Sequence, residues 1–180
     1  MNKFDTAIAK LLTLEGGYVN DPCDSGGETN YGICKRDEPE LNIKTLTKQQ
    51  AIDWYHKNFW LKYGMDHIED DKLASYWLSM AVNGGISHIT KIIQQVVMDT
   101  MQQASIFHTS ITVDGVPGPQ TIKLINEYWK TDKLLNVMEK MWNHYLKIME
   151  AHPEDNKFYH GWHNRCFDTN NSLPTNTFSH

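Results

Sequence analysis

The chain has 180 residues, of which 40% are hydrophobic and 22% charged, and its formal net charge is −5. This length suits one domain, or a catalytic region with a smaller companion, and a chain of this size buries roughly 70% of the surface that it exposes when unfolded. The acidic balance, without a cluster of Lys and Arg, excludes nucleic acid as the main partner, because phosphates require a basic surface. We therefore expect a substrate that is neutral, or held by hydrogen bonds and aromatic stacking.

The first predicted element is an amphipathic helix over residues 2–14, in which apolar side chains recur at spacings of three and four. Glycine commonly stands just past a helix C-terminus, and Gly16 and Gly17 follow here. The pattern therefore places Glu15 at the last turn of this helix. The apolar positions are Phe4, Ile8, Leu11 and Leu12.

Residues 16–34, GGYVNDPCDSGGETNYGIC, are rich in turn-forming residues. They predict an irregular loop or a short β-hairpin of the kind that lines a cleft. Mainly helical patterns follow, and the polar, turn-prone residues 168–180 are expected to be loosely held. The predicted helices are about 47–60, 70–83, 88–103, 119–129 and 132–151.

The N-terminal segment mixes charges into its apolar residues. It lacks the continuous apolar region and the cleavage site of small residues that mark a secretory signal. No stretch approaches the ~20 apolar residues of a membrane span. We therefore expect synthesis in the cytoplasm without a signal peptide.

Glu15 stands in an unusual place for a carboxylate. A helix C-terminus carries partial negative charge and so favours the neutral form of a nearby carboxyl group, as does burial beside apolar groups. Cleavage of a glycosidic bond needs such a protonated acid to deliver a proton to the departing oxygen. The alternative interpretation is a surface glutamate in front of a glycine cap.

Further polar groups follow Glu15 closely, on a segment punctuated by glycines. One of them could hold an attacking water or stabilise a developing oxocarbenium ion. Asp21 and Asp24 can instead close turns through hydrogen bonds from side chain to backbone. The polar residues of this segment are Asp21, Asp24, Glu28, Thr29, Asn30 and Tyr31.

Residues 15–33, EGGYVNDPCDSGGETNYGI, resemble the signature of glycoside hydrolase family 108. Members of that family are muramidases, known from phage endolysins and from secretion systems derived from them. The resemblance implies a mainly α, lysozyme-like helical fold with a small loop or β-hairpin at the active-site cleft. It also implies that Glu15 is the catalytic acid, and that Asp24 and Thr29 of the Asp-x-Gly-Gly-x-Thr block belong to the catalytic set. We expect nearby substrate contacts from Tyr18, Asn20 and Tyr31.

Two regions further along carry weaker resemblances. Residues 79–85, SMAVNGG, are similar to a family block Asp-x-Ala-Val-Asn-x-Gly, although Ser79 replaces its acid, and Asn83 becomes a candidate substrate contact. Residues 114–121, DGVPGPQT, and the Gly-Trp-x-x-Arg sequence of 161–165 are similar to peptidoglycan-binding helical modules. These last blocks can equally form a tight turn and anchor a core tryptophan. If they bind the wall, Trp162 and Arg165 are the candidate contacts.

The resemblance implies an N-acetylmuramidase that cleaves the β-1,4 bond between N-acetylmuramic acid and N-acetylglucosamine, for lysis or for wall remodelling that permits protein release. Its regions would be a muramidase region at 1–86, a helical peptidoglycan-binding region at 87–167 and a polar tail at 168–180. We expect a monomer that acts on periplasmic peptidoglycan after export through a holin-like membrane pore. The alternatives are a lytic transglycosylase and a wall-binding module without activity.

Cysteine and histidine usage points to no further chemistry. The three cysteines are an odd number, so at least one thiol is unpaired, and a chain made in the cytoplasm should not depend on a disulfide between Cys23 and Cys34. Nine histidines invite a metal interpretation, but the sequence contains neither H-E-x-x-H nor a cysteine pair with zinc spacing. We expect neither a metal nor another cofactor.

Overall fold

The computed structural model of the chain describes residues 2–15, 17–20 and 27–167. These residues are mainly helical, with a small antiparallel sheet, which confirms the mainly α, lysozyme-like class expected from the sequence. The chain divides into two compact units, Met1–Ser79 and Met80–His180. The predicted functional division at residue 86 remains a prediction.

Seven α-helices lie within the described residues: α1 (Lys3–Leu14), α2 (Lys48–Tyr55), α3 (Asp71–Gly84), α4 (Ile86–Gln103), α5 (Pro119–Tyr128), α6 (Leu134–Ala151) and α7 (Tyr159–Phe167). A π-helical segment, His56–Leu61, continues α2. Three strands, β1 (Val19–Asn20), β2 (Glu28–Asn30) and β3 (Ile33–Cys34), form an antiparallel sheet in that order. Short 3-10 turns occur at Ile43–Thr45, Met65–His67, Thr131–Lys133 and Pro153–Phe158.

Helix α1 begins with a capping box. The Asn2 side chain accepts the backbone N–H of Asp5 at 2.8 Å, and the Asp5 carboxylate accepts the N–H of Asn2 at 3.0 Å. These reciprocal bonds satisfy two donors that a helix start leaves unpaired. The predicted apolar face is buried, and each large apolar side chain on it contributes roughly 1.5–3 kcal/mol. The buried residues of this face are Phe4, Ala7, Ile8 and Leu11.

An aromatic cluster forms much of the first unit's core. The ring of Phe4 lies 5.4 Å from that of Trp60, centroid to centroid, and Tyr55 packs between Trp54 at 5.0 Å and Phe59 at 5.9 Å. Tyr55 and Trp60 are both almost fully buried. They are five residues apart, which is the spacing that a π-helix brings to one face. The cluster therefore fixes the end of α2 against α1.

In the second unit, α4 packs against α5 and α6, and α6 packs against α7. The buried side chain of Gln94 on α4 holds the predicted tight turn: its amide donates to Asp114 at 2.9 Å and its carbonyl accepts the N–H of Gly115 at 2.9 Å. Gly115 has φ +81, and a Cβ there would lie 2.3 Å from the Ser87 hydroxyl oxygen. The DGVPGPQT block thus forms a braced turn, in line with its structural interpretation.

Several predicted boundaries differ from those observed. The helix predicted at 47–60 changes to π-helical bonding after Tyr55, and α7 was not predicted at all. No helix among the described residues is long and apolar enough to cross a membrane. The prediction for residues 168–180 lies outside the described residues.

Candidate active site

Glu15 directly follows the last residue of α1. Its backbone φ of −85° and ψ of 132° are extended and end the helix, while its N–H still donates to the carbonyl of Leu11 at 3.1 Å. The residue is half-buried. The carboxyl group therefore stands at the negative end of the helix dipole, as the sequence predicted.

The turn between β2 and β3 lies directly against this carboxyl group. Asn30 pairs with Ile33, so the hairpin has a two-residue loop, and both loop residues have positive φ: 52° at Tyr31 and 78° at Gly32. Positive φ at both central positions is the mark of a type I′ turn, which suits the twist of a hairpin. The predicted loop or hairpin is thus a three-stranded sheet with a tight turn facing Glu15.

Gly32 lies at the point of closest approach. A Cβ placed there would lie 2.6 Å from Oε2 of Glu15 and 2.7 Å from the hydroxyl oxygen of Tyr55. Real Cβ atoms do not come this close to a neighbour, so a side chain at this position would displace one of the two groups. The glycine therefore lets the backbone approach the candidate acid.

Tyr55 anchors the same turn through a hydrogen bond. Its hydroxyl donates to the carbonyl oxygen of Tyr31 at 2.9 Å. The sequence predicted only that Tyr55 faces inward from a helix. Its contact with the turn joins residues 24 positions apart, which helical periodicity cannot reveal.

The sheet carries two of the other candidates from the first unit, Thr29 and Asn20. Thr29 is half-buried on β2, between Val19 of β1 and Cys34 of β3 in the ladder. Asn20 is exposed and pairs with Glu28. The sheet thus brings Thr29 and Asn20 onto neighbouring strands.

Tyr18 precedes β1 and is 40% exposed. Its hydroxyl donates to Oε1 of Glu28 at 3.0 Å. Loss of solvation and this hydrogen bond raise the pKa of Tyr18. The phenol is therefore protonated at neutral pH, and its one hydrogen is donated to Glu28. Asp21 and Asp24 lie outside the described residues.

Asn30 has a structural role. Its buried amide donates to the carbonyl oxygens of Ile43 at 3.1 Å and Leu46 at 3.4 Å. These bonds tie β2 to the 3-10 turn at Ile43–Thr45. They hold in place the strand from which the Tyr31–Gly32 turn projects.

The candidates of the second unit form a cluster of their own. Asn83 donates its side-chain amide to the hydroxyl of Tyr145, and the ring of Trp162 stacks on Tyr145 at 4.7 Å with an interplanar angle of 22°. Burial raises the pKa of Tyr145. The hydrogen bond from Asn83 and the charge of Arg165 act in the opposite direction and lower it in part. Arg165 and Trp162 lie on α7, both half-buried, and Trp162 also contacts the exposed ring of Phe158 at 5.5 Å.

Cys34, Cys166 and His163 make structural contacts. The Cys34 thiol donates to Asp37 at 3.0 Å, Cys166 is buried, and Cys23 lies outside the described residues. His163 packs edge-on against the ring of Trp142 at 5.1 Å. Among the described residues, no three His, Cys, Asp or Glu side chains are grouped to hold a metal ion.

Glu15 lies at the end of α1, next to the Gly32 turn of a small sheet. Such an arrangement suits the cleavage of a glycosidic bond. Residues 8–85 match the model of the family described as glycosyl hydrolase 108. The match covers Glu15, the sheet and Tyr55. The family supports a glycoside hydrolase that acts on peptidoglycan.

A solved structure gives a similarity over nearly the whole chain. The structure of Brucella abortus SagA superposes with a TM-score of 0.66 at 26% sequence identity, covering 91% of this chain and 88% of that one. No curated protein sequence gives a significant match. The similarity therefore extends beyond the family region into the second unit.

Proposed function

We propose that this protein is an N-acetylmuramidase, which hydrolyses the β-1,4 bond between N-acetylmuramic acid and N-acetylglucosamine, with Glu15 as the general acid. The observation that carries the proposal is the half-buried Glu15 carboxyl group at the C-terminal end of α1, against the Gly32 backbone. Cleavage of a glycosidic bond needs a carboxylic acid held in a fixed position, and the Gly32 backbone limits where this carboxyl group can lie. A neutral acid can protonate the departing sugar oxygen.

The remaining candidates take the supporting roles. Asp24 and Thr29 hold the attacking water or stabilise the positive charge that develops on the sugar ring. Tyr18, Asn20 and Tyr31 contact the glycan on the sheet side of the acid, because hydroxyl and amide groups there suit a neutral, hydroxyl-rich polymer. Asn83 contributes a further substrate contact.

The second unit holds the wall while the first unit cuts it. Trp162 and Arg165 are the proposed wall contacts, supported by the exposed aromatic rings of Phe158 and Tyr159 beside them. Aromatic faces stack on sugar rings, and a guanidinium group pairs with carboxylates. Sugar rings and carboxylates both occur in peptidoglycan, which combines glycan chains with acidic peptides.

The place of action follows from the substrate. Peptidoglycan lies in the periplasm, and in this proposal the enzyme reaches it through a membrane pore of the holin kind. Local cleavage would then serve lysis, or remodelling of the wall that permits protein release.

The decisive experiment compares Glu15→Gln with the wild-type enzyme on purified sacculi. Glutamine has nearly the same shape, so the fold should persist, but its amide cannot deliver the proton and clearing of the suspension should stop. Glu127→Gln, an exposed acid on α5, is the matched control and should clear sacculi at the wild-type rate. Residual activity of Glu15→Gln within tenfold of wild type would exclude Glu15 as the acid.

Mass spectrometry of the digest separates the two enzyme chemistries. Reducing N-acetylmuramic acid ends support hydrolysis, since water then completes the reaction. Anhydro ends would show that the sugar's own hydroxyl attacks, as in a lytic transglycosylase. If the wild-type protein binds sacculi but cleaves no bond, the result would support the third alternative, a wall-binding module without activity.

A further inference from the structure

The Tyr55 hydroxyl is a buried polar group in a hydrophobic setting. Tyr55 is only 1% exposed, and its ring packs against Trp54 and Phe59 at the junction of α2 and the π-helical segment. A hydroxyl in such a place is costly unless it forms a hydrogen bond. It bonds to the Tyr31 carbonyl oxygen at 2.9 Å.

The residue that accepts this hydrogen bond, Tyr31, has a strained backbone conformation. Tyr31 has φ 52°, a left-handed conformation that is unfavourable for a residue with a Cβ. Such residues persist only where their surroundings hold them. The rigidly packed Tyr55 ring supplies this restraint, because its hydroxyl fixes the carbonyl group that leads into Gly32.

The restrained turn is the one that contacts Glu15. The Tyr55 hydroxyl oxygen and Oε2 of Glu15 both lie within 2.7 Å of the point where a Gly32 Cβ would stand. Three elements therefore meet at the candidate acid: the end of α1, the β2–β3 turn and the end of α2. A shift of the turn by an ångström would move the backbone against which the carboxyl group rests.

We propose that Tyr55 is a positioning residue for Glu15, which acts by holding the Tyr31–Gly32 turn against the carboxyl group. The inference rests on the proposed function, because it assigns Glu15 the chemical step. Tyr55 itself touches no substrate atom in this scheme. Its removal should therefore slow the chemical step and leave substrate binding unchanged.

The test is Tyr55→Phe, which keeps the ring and removes only the hydroxyl. On soluble glycan strands released from sacculi, we expect kcat to fall by about tenfold or more, since a misplacement of about 1 Å can cost on the order of 100-fold. KM should stay within about twofold of wild type. Tyr63→Phe is the matched control, since the Tyr63 ring also packs on Phe59, and it should keep the wild-type kcat.

A rescue variant separates positioning from general stabilisation. Glycine adopts positive φ without cost, so Tyr31→Gly in the Tyr55→Phe protein should need no restraint and should recover much of kcat, whatever the loss of the Tyr31 ring does to KM. Thermal unfolding of each variant shows the fraction folded at the assay temperature.

Three outcomes would overturn the inference: a wild-type kcat for Tyr55→Phe, a raised KM with kcat intact, or a Tyr55→Phe protein that no longer folds. Glu15→Gln is assayed in parallel. If Glu15→Gln is inactive and Tyr55→Phe behaves as wild type, only the positioning role fails. If Glu15→Gln retains activity, the proposed function fails first.

Discussion

Gly32 is the residue at which the site depends most directly on backbone conformation. Alanine there would be strained at φ 78° and would place its Cβ 2.6 Å from Glu15. We expect Gly32→Ala to lose at least about 100-fold in kcat, on the scale at which small misplacements act. The measurement is a steady-state assay on soluble glycan strands.

Gly85→Ala is the control for this prediction. Gly85 has φ 86°, so alanine is similarly strained there, but no atom of the described residues lies within 4 Å of its added Cβ. It should lose stability by about 1–3 kcal/mol, because φ 86° with ψ 140° is a conformation that side chains rarely adopt, and it should keep most of its kcat. If both variants lose activity in proportion to stability, crowding of the acid is not the cause.

Individual residues of the site could be predicted where a motif names them. Glu15, Thr29 and Tyr31 became candidates because the Glu-Gly-Gly-Tyr and Gly-Gly-x-Thr patterns are long and specific, and their roles remain predictions. The contact of Tyr55 with the turn could not be found, because it depends on how α2 meets the sheet. No local pattern encodes that meeting.

The contact between α4 and α6 in the second unit should be sensitive to pH, because two histidines stack there. His88 on α4 stacks on His144 on α6 at 3.5 Å, and burial, with the neighbouring charges of His88 and Lys147, lowers the pKa of His144 to about 4. The unfolded value is near 6.5. Between these values the unfolded chain binds more protons, so stability falls as the solution is acidified.

We therefore expect the melting temperature to fall between pH 7 and pH 4.5, and His144→Gln to flatten that dependence. Differential scanning fluorimetry in a pH series measures it. The exposed His108 supplies the control, since His108→Gln should keep the wild-type slope. An unchanged slope in His144→Gln would show that another group is responsible.

Secondary-structure elements were predicted best where the spacing of apolar residues is regular over many positions. Helix α1 was predicted at 2–14 and is observed at Lys3–Leu14. The π-helical bonding after Tyr55 was missed, because six residues do not distinguish a spacing of four from a spacing of five. Helix α7 was missed because Gly161 and few apolar residues obscure its period.

At the scale of the molecule, the proposed division of labour predicts that binding and cutting can be lost separately. Glu15→Gln should bind sacculi as wild type does. Phe158→Ala and Arg165→Ala should lower the bound fraction by about threefold or more if these are the main wall contacts, since truncating a dominant interface side chain costs more than about 1 kcal/mol. Co-sedimentation with purified sacculi measures this fraction.

Phe107→Ala is the matched control, because Phe107 is 78% exposed in the same unit but outside the aromatic cluster around Trp162. It should bind as wild type does. Equal losses in Phe107→Ala and Phe158→Ala would point to general stickiness of exposed rings. If Phe158→Ala and Arg165→Ala both bind sacculi as wild type does, α7 and the adjoining Phe158 do not hold the wall.

The π-helical turn at His56–Leu61 also determines where the chain tolerates the loss of a residue. One π turn equals an α-helix that has gained one residue. Deleting the exposed Lys57 would place Tyr55 and Trp60 four positions apart, so both would still face the core in an ordinary α-helix. A deletion in the middle of α4 would instead rotate every following side chain by about 100°. Insertions and deletions accumulated over evolution should therefore concentrate at this turn rather than within the long helices.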